Sequence, residues 1–190
     1  TRAAVRAPNS VAGASLGWPW LGHRLVVVPT TRDEATAEPS RTRVSGAGSA
    51  GGCAALDRSS GERRWQYEDT AGNGVAVASA GPRVYCALDS GVLAALDLDT
   101  GEVRWRVALA RSIPGLTVAV SDRTALAVDG QSATLALTVS VGARWVLAVR
   151  DLETGADRGD FDLGNAAPPS APVSLAPGLL AIGVGEPGEV

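Results

Sequence analysis

Three stretches of this chain repeat one pattern, and that repetition restricts the fold more than any other feature. They are Ala55-Leu-Asp57-Arg-Ser-Ser-Gly61-Glu-Arg-Arg-Trp65, Ala95-Leu-Asp97-Leu-Asp-Thr100-Gly101-Glu-Val-Arg-Trp105 and Val149-Arg-Asp151-Leu-Glu-Thr154-Gly155-Ala-Asp-Arg-Gly159. The interval from Gly61 to Gly101 is 40 residues and that from Gly101 to Gly155 is 54. Within each copy an apolar alternating run, such as Val92-Leu-Ala-Ala-Leu96, reads as a half-buried strand. The Asp-x-x-Thr/Ser-Gly that follows is turn chemistry, because Asp and Thr side chains cap backbone groups and Gly takes a positive φ without steric cost. The chain then returns as a second strand, Val103-Arg-Trp-Arg-Val107, with Val103, Trp105 and Val107 on one face and the two arginines on the other. No segment shows convincing helical periodicity.

An interval of 40 residues matches one four-stranded blade of a β-propeller, and the longer interval suits a blade with an insertion. The expected fold is therefore all-β, built of four-stranded antiparallel blades. The pattern Ala-x-Asp-x-x-Thr-Gly-x-x-x-Trp resembles the tryptophan-docking motif of the PQQ-like (quinoprotein-type) propeller family. In that family the Trp of one blade packs against its neighbour, so the resemblance implies a structural role for Ala55, Asp57, Gly61, Trp65, Ala95, Asp97, Thr100, Gly101, Trp105, Asp151, Thr154 and Gly155. The second copy matches at every fixed position, and the first has Ser60 in place of Thr. The third departs: Val149 replaces Ala, and Gly159 stands where Trp is expected, with Phe161 two residues on as the one available substitute.

On this template, residues 1–17 form an N-terminal segment and 18–190 a partial propeller. Its blades span about 18–67, 74–109, 116–163 and, incompletely, 170–190. Arg24–Val28 reads as an inner strand of the first blade. The cleanest blade has strands at Val75–Ser79, Arg83–Leu88, Val92–Asp97 and Val103–Leu109, with Asp89-Ser-Gly91 as a tight turn. Residues 173–184 read as opening strands of the fourth. Thr30–Gly51 reads as a surface loop, or alternatively a binding loop, and Ser132–Val141 as a lengthened hairpin. Propellers close with roughly four to eight blades. Three blades and part of a fourth suggest a fragment of a ring of roughly seven or eight, or else a half-ring closed by a second copy. With residue 1 a Thr and no Met anywhere, the chain is expected to be processed or a piece of a longer one.

Composition excludes several functions. The formal net charge is −3, all positive charge is on arginine, and no clustered basic face offers a footprint for nucleic acid. No basic amphipathic stripe suits a membrane surface, and no apolar run is long enough to span a bilayer. The two cysteines, Cys53 and Cys86, lie in apolar runs and read either as buried free thiols or as a disulfide in an oxidising compartment. With one histidine they fall short of a metal site.

No catalytic, cofactor-binding or metal-binding residue is assigned, and no cofactor is expected. His23, the only histidine, reads as a surface residue in the turn Leu21-Gly-His-Arg-Leu25. Asp97 and Asp99 are too few for a calcium cage. The stretch Gly46–Gly52 lacks the following Lys-Ser/Thr of a phosphate cradle. Trp18, Trp20 and Trp145 fall outside the motif and read as packing residues. The resemblance implies a non-enzymatic scaffold, like the assembly-factor and sensor branch of the family, extracytoplasmic and binding a protein, peptide or glycan. One alternative is a fragment of a PQQ- and calcium-dependent dehydrogenase oxidising alcohols or sugars. Alcohol-oxidising members of that family carry adjacent cysteines and clustered acidic ligands, which this sequence does not display. A cytoplasmic WD-like interaction propeller is the third reading, and the motif argues against it.

Overall fold

The computed structural model describes residues 20–30, 51–109, 126–141, 144–164, 173–176 and 179–181, the last two segments by backbone alone. They form fourteen strands: β1 Trp20–Leu21, β2 Leu25–Thr30, β3 Gly51–Asp57, β4 Arg63–Asp69, β5 Gly74–Ala80, β6 Arg83–Leu88, β7 Val92–Asp97, β8 Val103–Ala108, β9 Leu126–Asp129, β10 Thr134–Val141, β11 Arg144–Asp151, β12 Asp157–Gly164, β13 Val173–Ala176 and β14 Leu179–Ala181. Each group of four makes one antiparallel sheet in chain order, β1 to β4, β5 to β8 and β9 to β12, and β13 pairs with β14. The fold is a propeller of four-stranded blades: the described residues form three of them and a further two-stranded sheet, and these do not close a ring.

Adjacent blades meet face to face. β2 packs on β5, β5 on β9 and β9 on β13. The middle blade is therefore covered on both faces, which explains the unbroken apolar runs Val84–Leu88 and Val92–Leu96, all of them buried. Alternation divides these side chains between two cores. Val84, Cys86, Leu88, Ala94 and Leu96 join Leu25, Val27, Cys53, Ala55, Trp65 and Tyr67 in the seam between the first and second blades. Tyr85, Ala87, Leu93 and Ala95 join Leu135, Leu137, Val139, Val141, Ala148 and Leu152 in the seam between the second and third.

β2 is the second strand of its sheet, flanked by the two-residue β1. The hairpin of β10 and β11 has eight residues in each strand, which accommodates the extra apolar residues before Val141. Val103, on the apolar side of the alternation, is 48% exposed because β8 is the last strand of its sheet and its sequence neighbours are exposed too. The N-terminal segment, most of the Thr30–Gly51 loop, Trp18 and most of the last blade lie outside the described residues.

Candidate functional site

The repeated motif builds the same turn three times. Asp57 Oδ1 accepts from the backbone N–H groups of Ser59 and Ser60, Asp97 from those of Asp99 and Thr100, and Asp151 from those of Glu153 and Thr154. Gly61, Gly101 and Gly155 follow at φ of 74, 76 and 71°, the left-handed region that favours glycine. An arginine seven residues after each Asp completes the set: Arg64 lies 3.4 Å from Asp57 and Arg104 2.8 Å from Asp97, while Arg158 bonds Asp151. All three carboxyls are drawn down from the usual 3.8 to about 2. The leading cause is the Ser59 hydroxyl at Asp57 and the guanidinium at the other two.

The motif's first and last residues are cross-strand partners, Ala55 opposite Trp65 and Ala95 opposite Trp105, each followed by a bulge. The small alanine leaves room for the indole to lie across the seam onto the following blade. Trp65 donates its Nε1–H to the Leu98 carbonyl at 2.9 Å, and a methyl group on Gly101 would lie 2.7 Å from its ring. Trp105 donates to the Leu152 carbonyl at 3.2 Å, and a methyl group on Gly155 would lie 2.8 Å from its ring. Glycine is thus required at both positions twice over, by φ and by the ring stacked on it. In the third blade Val149 faces Gly159, so the small and large partners are exchanged, and Phe161 is 56% exposed. The corresponding turn of the first blade lines a recess of about 450 Å³ with His23, Arg24, Asp57, Arg58 and Ser59.

Polar residues that the motif did not flag shape both seams. In the first, Arg106 reaches back from the second blade to Asp69, at 2.6 and 3.1 Å, and Asp69 also accepts from the Tyr67 hydroxyl at 2.7 Å. The Arg106 guanidinium is the main reason that the Asp69 carboxyl falls to about 2. Burial is the main reason that the Tyr67 phenol is pushed up. In the second seam Arg150 is 1% exposed. Its Nη1 donates to the Val149 carbonyl, Asp157 and Asp160 at 2.8, 3.0 and 2.8 Å, and its Nη2 has no partner among the described residues. Arg150, Arg106, Gly155 and Asp157 border a cleft of about 430 Å³ there.

His23 is exposed in the turn between β1 and β2, Trp20 lies in β1, and Trp145 is half-buried in β11. Among the described residues no group of three or more His, Cys, Asp or Glu is placed to hold a metal ion. Among them too, no helix is long and apolar enough to cross a membrane. Among the described residues there are neither adjacent cysteines in the sequence nor clustered acidic ligands of the kind the dehydrogenase alternative requires.

These features define a propeller of PQQ-like blades. Residues 49–161 match the family described as outer membrane protein assembly factor BamB, and the chain belongs to that family. Among solved structures it is similar to BamB from Moraxella catarrhalis, with 20% identity and a TM-score of 0.58 over 90% of this chain and 47% of that one. It is also similar to quinohemoprotein alcohol dehydrogenase from Comamonas testosteroni, with 20% identity and a TM-score of 0.56 over 79% of this chain and 21% of that one. A third similar structure, the computationally designed Ika4 protein, shares 14% identity with a TM-score of 0.59 over 93% of each chain. The chain thus spans about half the length of the Moraxella protein and about a fifth of the dehydrogenase. At these identities the likenesses show the fold. No curated protein matches.

Proposed function

We propose that this chain is part of a non-catalytic propeller scaffold of the cell envelope or extracellular space whose faces and loops bind a protein, peptide or glycan. The observation that carries this reading is membership, over residues 49–161, of the family described as an outer-membrane protein assembly factor. The chemistry of the described residues supports it. The motif carboxylates are spent on turns and arginine pairs, and the motif tryptophans rest on glycines of the following blade, which fits a structural docking role for the whole set. Ring closure would come from further blades or from a second copy.

The test sets the scaffold reading directly against the dehydrogenase one. The purified chain is titrated by calorimetry with peptides from outer-membrane β-barrel strands, and separately with pyrroloquinoline quinone plus calcium, followed by dye-linked alcohol oxidation. Saturable peptide binding without quinone binding is the expected result. Quinone binding with turnover of an alcohol would overturn the proposal.

A further inference from the structure

The two cysteines face each other across the first seam. Cys53 lies on β3, opposite Pro29 on one side and Tyr67 on the other, and Cys86 lies on β6, opposite Val77 and Ala94. Alternation turns both side chains into the same apolar core, each with no exposed surface and each a free thiol. β3 packs on β6, so the two residues share one seam although 32 residues of chain, including β4 and β5, separate them.

We propose that Cys53 and Cys86 are a disulfide site that staples the first blade to the second when the chain folds in the presence of a disulfide oxidant. In the first step a thiolate of one cysteine attacks a sulfur of the oxidant, R–S–S–R, forming a mixed disulfide and releasing one R–S⁻, which takes up a proton. The second cysteine, as its thiolate, then attacks the protein sulfur of that mixed disulfide and expels the other R–S⁻, likewise protonated. The balance is two cysteine thiols oxidised, one small disulfide reduced to two thiols, and one intramolecular S–S bond formed. Burial pushes the Cys53 thiol well up, with the neighbouring Cys86 adding to the effect. A thiol held so far from ionisation is a poor nucleophile once the seam has closed, so the bond forms while the blades are coming together. The loop it closes is long, which makes the constraint on the unfolded chain large.

The experiment refolds the wild-type chain in a buffer of oxidised and reduced glutathione, quenches with acid, and alkylates with iodoacetamide in guanidinium. Intact mass and a non-reducing peptide map are then recorded. The expected result is a chain that takes up no alkyl group, lacks two hydrogens and yields one peptide joining Cys53 to Cys86. Its melting temperature is expected to fall by on the order of 10 °C on reduction, whereas a Cys53→Ala, Cys86→Ala chain responds to reductant not at all. Two alkylated cysteines at every glutathione ratio would overturn the proposal, and so would a linkage between chains. The decisive readout is taken on the wild-type chain, so a variant that folds poorly does not blunt it.

Discussion

The two seams of this molecule use the same device with different partners beneath it. In the first, Trp65 is 8% exposed, with Leu96 buried in the same core, and the Tyr67–Asp69–Arg106 clasp bridges the outer strands. In the second, Trp105 is half-buried, its ring 5.9 Å from that of Tyr85, and both donate to the Leu152 carbonyl. Aligning the motif copies places Arg150 where the other blades have Leu56 and Leu96. Both seams have an apolar core and a salt bridge from blade to blade, Arg106 with Asp69 in the first and Arg83 with Glu153 in the second. The second also takes a guanidinium inside, held by two aspartates, beside a cleft. An indole stacked on glycine thus tolerates very different company, because its hydrogen bond goes to backbone and its contact is with backbone.

The largest expected effect separates the two indoles. Trp65→Ala should cost about 3–5 kcal/mol, in the range for large-to-small core changes, and Trp105→Ala about 2 kcal/mol, since its ring gives up less buried surface. Guanidinium unfolding of both variants checks the order, and equal losses would mean that the seams are equivalent in energy.

Arg150 gives the next effect. Arg150→Ala leaves Asp157 and Asp160 without their cation and should cost about 2 kcal/mol, below the usual penalty for breaking a buried pair because Asp157 is 48% exposed. Arg150→Leu restores the residue type of the first seam and fills the space, but it leaves the same two aspartates unpaired, so it should recover only the packing share of the loss. If the leucine variant is no better than the alanine one, the second seam depends on the charge itself.

The smallest effect is in the rim of the first seam. Arg106→Ala should cost about 1–2 kcal/mol by releasing Asp69. The Asp69 carboxyl is lowered in the fold from 3.8 to about 2, so its contribution is complete above the unfolded value and disappears as pH falls towards 2. Unfolding midpoints measured down that range should fall for the wild type and fall less steeply for Arg106→Ala. A parallel decline in both would assign the acid sensitivity to the three motif aspartates, which carry the same downward shift.

The blades were legible because their signals are local. Alternation, a turn built from Asp and Gly, and a Trp four residues later all act within a dozen positions, so the strands of the second blade could be marked almost to the residue. The arginine seven residues after each motif Asp was equally visible in all three copies, and only the structure shows it paired. Arg150 carried a signal too, standing in a leucine column, but an arginine beside a motif aspartate reads as surface until a neighbouring blade covers it. Cys53 facing Cys86 and Arg106 facing Asp69 depend on how one sheet lies on the next, a register that no strand encodes by itself. The partner surface is illegible for a related reason: the repeat describes the scaffold, and recognition lies in whatever departs from it.

The asymmetry of the stacked indoles has a further consequence. The middle blade carries both halves of the joint, a ring to give forward and a glycine to receive on, and the first blade carries the same motif pair. Copying or deleting a unit of that kind in frame would keep Trp65 and Trp105 each opposite a glycine of the same turn, whatever else the seam holds. Growth by duplication then needs no redesign of the joint. It also runs in one direction along the polypeptide, each ring going to the blade that follows its own.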